Sequence, residues 1–180
     1  MGVLGWRVTA RVTPDMKHSV MIAAPHTTNW DFPIALAAFW IMGVDLRFFI
    51  KDAYTKGVFG WVFKSFGAIG VNRSNRKNGL VNYATQLLKE RKELVILVPP
   101  EGTRGLVEEW RLGFYHIALK ANAPISLGFL DYKKKEAGVA AVFKPSGDKE
   151  ADLSYIENVY YDITGKFPDK YNKQIFKRES

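Results

Sequence analysis

Cysteine is absent, and histidine appears only 3 times in 180 residues. The missing thiols exclude a disulfide scaffold, a cysteine nucleophile and any zinc or iron–sulfur site built on cysteine. Long apolar runs are missing too. The longest, residues 32–44, is interrupted by Pro33 and Gly43 and is too short to cross a bilayer. No cleavable leader pattern opens the chain, and no repeat, low-complexity tract or long linker divides it. Acidic residues are scarce beside basic ones, 18 Asp+Glu against 26 Lys+Arg, for a formal charge of +8. A basic surface fits a polyanionic partner: nucleic acid, anionic lipid or a phosphorylated small molecule. No known nucleic-acid motif accompanies the charge, so no nucleic-acid partner is expected.

What is present is enough apolar material, 47% of the chain, to fill a core. A single domain is expected over residues 1–180, with a motif-bearing core at about 18–130 and a C-terminal strand and helix at about 138–165. Strand-length apolar runs fall at residues 19–25, 46–50, 68–71, 94–98, 124–130 and 139–143. Between them lie helical patterns at 30–42, 56–66, 78–91, 114–121 and 153–163. Asn29 is a plausible cap for the first of these helices. Leu80, Tyr83, Ala84, Leu87 and Leu88 form one stripe on the helix at 78–91. This alternation predicts an α/β domain with a largely parallel or mixed central sheet and helices on both faces. Ligands of such sheets bind beyond the carboxyl ends of the strands, so the loops after residues 25, 50, 71 and 98 matter most.

Those loops hold the polar chemistry. The first carries His26-Thr27-Thr28-Asn29-Trp30-Asp31. A sharp strand-to-helix turn can return the Asp31 carboxylate to the imidazole, fixing its tautomer and leaving the other ring nitrogen as a base. No Ser or Cys is spaced as a nucleophile, so that base would act directly on a substrate hydroxyl. The loop after residue 98 reads Pro99-Pro100-Glu101-Gly102-Thr103-Arg104-Gly105. Its glycines allow a tight turn, and the planar guanidinium of Arg104 suits phosphate oxygens. Gly67 to Arg73 is a short strand delivering Arg73 at its carboxyl end. Alone, each loop has an ordinary explanation: a capped helix, a surface turn, an exposed arginine.

Together and in this order they resemble the glycerolipid acyltransferases, whose best-known members are the 1-acylglycerol-3-phosphate acyltransferases. The blocks are H-x4-D at His26 and Asp31, a glycine-rich approach from Gly67 ending at Arg73, E-G-T-R at Glu101 to Arg104, and a Pro-containing apolar strand at Ala123-Pro124-Ile125-Ser126-Leu127. The stretch from Lys51 through Phe59-Gly60-Trp61 also follows the family's habit. The resemblance implies that His26 and Asp31 are the catalytic pair. It implies that Arg73, Glu101, Gly102, Thr103 and Arg104 bind the acceptor's phosphate. The implied substrates are acyl-CoA or acyl carrier protein as donor and a lyso-lipid, chiefly 1-acylglycerol-3-phosphate, as acceptor. No metal and no separate cofactor is expected. The implied setting is cytoplasmic, peripherally associated with the inner face of an anionic membrane. A different lyso-lipid acceptor, or a catalytically silent lipid- or phosphate-binding relative, stays open. Two further expectations concern single elements. Phe32, Phe39 and Trp40 on the first helix are expected mostly in the core, and Lys133-Lys134-Lys135 at a solvated hairpin tip.

Overall fold

A computed structural model describes residues 5–9, 12–71 and 77–177. Two apolar strands set the centre. β2 (His18–Ala24) and β5 (Leu94–Val98) pair in parallel, with Ile22 opposite Val98. Successive side chains of a strand point to opposite faces. Val20, Ile22, Leu94 and Ile96 therefore enter one core, while Met21, Val95 and Leu97 enter the other. A strand buried on both faces has no polar alternation, which explains the unbroken Leu-Val-Ile-Leu-Val run.

The rest of the sheet assembles around this pair. β1 (Arg7–Val8), β3 (Leu46–Lys51), β4 (Ala68–Val71), β6 (Ile125–Asp131) and β7 (Glu136–Phe143) complete the seven-stranded order β1-β7-β6-β2-β5-β3-β4. Among the described residues, β6 and β7 pair antiparallel, as a hairpin, and the other neighbours are parallel. The hairpin turn holds Lys133, Lys134 and Lys135, all exposed, as the sequence suggests.

One face of the sheet is covered by α5 (Lys77–Glu90), α6 (Gly113–Ala121) and α7 (Lys149–Tyr160), through Ala84, Leu88, Phe114, Ile117, Leu153 and Ile156. The other is covered by α1 (Pro14–Lys17) and α2 (Asp31–Ile41), through Met16, Ala35, Ala38 and Phe39. Each large apolar side chain taken fully out of water contributes about 1.5–3 kcal/mol. The sheet is thus mixed and clad on both faces, in agreement with the α/β expectation.

Several elements depart from the sequence reading. The helix expected at 56–66 is two helices, α3 (Asp52–Lys56) and α4 (Gly60–Ser65). Gly60 is buried so close against the Thr55 carbonyl that a Cβ would overlap it, and this contact holds the break. α7 begins at Lys149 rather than 153, because Asp148 caps it by accepting from the Glu150 and Ala151 N–H groups at 3.1 Å. Asn29 does not cap α2; the cap position is Trp30, with no side-chain bond. On α5, Leu80 and Tyr83 are exposed while Ala84, Leu87 and Leu88 are buried, so the stripe is only partly covered. On α2, Phe39 is in the core and Phe32 is half-buried against Phe48, but Trp40 is exposed and leans on Phe66. Among the described residues, no helix is long and apolar enough to cross a membrane.

Candidate active site

β2, β5 and β6 run parallel and end at the same edge of the sheet, and the site is built on that edge. His26 leaves the end of β2, and Asp31 opens α2 five residues on. A carboxylate in the first turn of a helix faces unpaired N–H groups and the positive end of the macrodipole. Asp31 uses both. Its Oδ2 accepts the N–H groups of Thr27 at 2.8 Å and Thr28 at 3.0 Å, and lies 3.0 Å from His26 Nδ1. Its Oδ1 accepts the Tyr132 hydroxyl at 2.6 Å. Burial alone would raise the Asp31 carboxyl. The hydrogen bonds from His26, Tyr132 and Thr28 outweigh it and hold the group below its ordinary value. With Nδ1–H donated to an ionised Asp31, His26 carries its lone pair on Nε2. The His26 side chain is 25% exposed, so solvent and ligand reach it.

The loop after β5 clasps the loop after β2 at two points. Glu101 is buried, and both of its carboxyl oxygens lie within hydrogen-bond distance of the His26 backbone N–H, at 2.9 and 3.2 Å. Burial pushes its carboxyl up, the His26 N–H pulls it down, and the negative charge of Asp31 pushes it up further, to about 8. At the outer end, the Arg104 guanidinium donates to Asn29 Oδ1. Between them Gly102 has φ +66°, a left-handed conformation that glycine adopts freely. Gly102, Thr103 and Arg104 are exposed. The segment after α7 backs the arrangement: the Phe167 N–H donates to Thr27 Oγ1 at 3.2 Å. Gly165 lies so near that a Cβ there would stand 3.1 Å from Pro25 and Thr27.

Six of the seven residues singled out from the sequence therefore meet at one edge: His26, Asp31, Glu101, Gly102, Thr103 and Arg104. Arg73 lies outside the described residues. The sequence reading missed Tyr132 and Arg111. Tyr132 sits just past the end of β6, a strand whose place beside β2 only the fold reveals. Arg111 brings its guanidinium to 3.1 Å from where a Cβ on Gly102 would stand, adding a second exposed cation at the loop.

The class that fold and geometry define is an α/β domain with a histidine–carboxylate pair and a cationic glycine loop at the carboxyl edge of its sheet. Comparison with known proteins makes the class specific. The family model described as Acyltransferase matches residues 7–126, a span containing both loops. The chain belongs to the acyltransferase family. It is also similar to a 1-acyl-sn-glycerol-3-phosphate acyltransferase of Streptococcus pneumoniae, at 28% identity over 90 residues. That alignment covers 48% of this chain and 32% of the relative, so the shared part is about a third of the relative's length. No solved structure matches the chain.

Proposed function

We propose that this chain moves a fatty acyl group from acyl-CoA or acyl carrier protein to the hydroxyl of a lysophospholipid, with 1-acylglycerol-3-phosphate the leading acceptor. The observation that carries the reading is the 3.0 Å contact between His26 Nδ1 and Asp31, held inside a four-partner cage around one carboxylate. In this reading His26 Nε2 takes the proton of the acceptor hydroxyl. The freed oxygen attacks the thioester carbonyl, a tetrahedral oxyanion forms, and the carbon–sulfur bond breaks to release the thiol. Arg104, with Gly102, Thr103 and Arg73, binds the acceptor's phosphate. Glu101 holds the His26 backbone in register with that phosphate site. Fixing the hydroxyl and the base together turns an encounter into an oriented reaction.

The same edge supports a membrane-surface setting. From the last residue of β3 onward, residues 51–64 carry Lys51, Lys56 and Lys64 against a single acid, Asp52. Val58, Phe59 and Trp61 in this stretch are 88%, 71% and 72% exposed. Aromatic side chains flanked by lysines suit the interface of an anionic bilayer, where a lyso-lipid resides.

The test is a panel of lyso-acceptors, glycerol 3-phosphate included, offered with acyl-CoA and with acyl carrier protein and read by released thiol. Acceptor-dependent release with a phosphate-bearing lyso-lipid supports the proposal. Release with an acceptor lacking phosphate moves the acceptor assignment. No release above donor hydrolysis with any pair overturns it.

A further inference from the structure

In the acyl-transfer reading the Tyr132 hydroxyl counts as one contact of the Asp31 cage and has no role of its own. Its position is fixed three times over. The Tyr132 N–H donates to the Thr164 carbonyl at 2.9 Å. Its ring meets the buried Trp6 edge-on, with centroids 5.0 Å apart at 88°. The turn that follows is pinned by Asp131 Oδ1, which accepts from Lys133 N–H at 3.0 Å and Lys134 N–H at 3.1 Å. The hydroxyl itself ends on Asp31 Oδ1 at 2.6 Å, a short charge-assisted bond. Asp31 Oδ2 serves His26, Thr27 and Thr28, so Tyr132 holds the other oxygen of the same carboxylate.

We infer that Tyr132 is a positioning residue: by holding Oδ1 of Asp31 it fixes the rotation of the carboxylate that orients His26. The inference rests on the reading of His26 as the base. It carries a second consequence. Removing the phenol leaves more of the Asp31 charge to the imidazole, so loss of the Tyr132 hydroxyl is read at the His26 ring. Among the described residues, the titratable and charged groups around this unit include Asp31 on α2, Glu101 and Arg104 on the loop after β5, and Tyr132 after β6. Lys134, beside Tyr132, pairs with Asp131 at 3.6 Å. Of these, Tyr132 donates to Asp31 from outside the His26 loop and contributes no formal charge of its own.

The experiment follows the His26 ring nitrogens by NMR through a pH titration, in the wild type and in Tyr132→Phe. The expected result is a higher midpoint in the variant. The acid limb of the kcat/KM profile moves up with it, and kcat falls about tenfold at nearly constant KM. A purely structural role would lower stability and leave the midpoint in place. Because Tyr132→Phe also removes a part-buried bond, a second variant carries 3-fluorotyrosine at the same position, an isostere that donates more strongly. It lowers the midpoint. In an Asp31→Asn background, Tyr132→Phe costs no further kcat. Midpoints within about 0.1 pH unit of wild type in both variants, with kcat within about twofold, overturn the inference. The titration reads Tyr132 even if no acyl transfer is found, so failure of the base assignment and failure of this inference are told apart.

Discussion

Replacing Glu101 with glutamine flattens the pH dependence of stability between about pH 5 and 8. Glu101 is buried under the His26 backbone, beside the charge of Asp31, and its carboxyl is pushed from an ordinary 4.5 up to about 8. In the unfolded chain it ionises near the ordinary value. As pH rises above that value, the unfolded state releases its proton first, and unfolding becomes progressively more favourable until the folded group ionises too. A displacement of that size corresponds to about 5 kcal/mol at full ionisation, and relaxation around the charge returns part of it, leaving a loss of about 2–5 kcal/mol across the window. Total stabilities of single domains run to about 5–15 kcal/mol, so the effect is large enough to measure. Glutamine keeps an oxygen for the His26 N–H and has no proton to lose in this range. Its unsatisfied amide nitrogen adds a penalty that is the same at every pH. The assay is urea unfolding, followed by tryptophan fluorescence, of both proteins at several pH values from 5 to 8.5. The gap between the two stabilities shifts in favour of Glu101→Gln as pH rises and levels off above 8. Parallel curves across the window would refute the reasoning.

Two further outcomes follow from the same edge of the sheet. Arg104→Ala raises KM for a phosphate-bearing acceptor about 10- to 100-fold with a smaller change for an acceptor lacking phosphate, measured by initial rates of thiol release; equal losses on both would contradict a phosphate-binding role. Phe59→Ser combined with Trp61→Ser cuts co-sedimentation with anionic phospholipid vesicles at least about tenfold, since two exposed aromatics lose their interfacial burial; unchanged binding would remove this surface from the account.

The helical and strand patterns made the central sheet legible because local periodicity records burial. Residues 94–98 show it most clearly, apolar at every position because both faces of β5 are covered. The His26–Asp31 pair was legible for a related reason: its five-residue spacing is closed by one turn at the start of α2. Contacts across long stretches of chain were not. Glu101 meets His26 from 75 positions away and Tyr132 meets Asp31 from 101, through the order of strands rather than through any local pattern. The acyltransferase resemblance brought Glu101 into the site by motif, but no motif points to Tyr132 or Arg111. The break between α3 and α4 was hidden for a different reason. Helical spacing continues through residues 56–66, but the backbone turns extended at Gly57 and Gly60 packs on the Thr55 carbonyl. Asn29 shows propensity overruled: a residue suited to capping a helix instead accepts from Arg104.

Thiol release from an acyl thioester in the presence of 1-acylglycerol-3-phosphate, compared between the wild type and His26→Ala at matched thermal stability, puts the weight of the account on one side chain. Wild-type release that depends on the acceptor, falling by about 10^2-fold or more in the variant, is the predicted result. Turnover retained in a folded His26→Ala protein would contradict it.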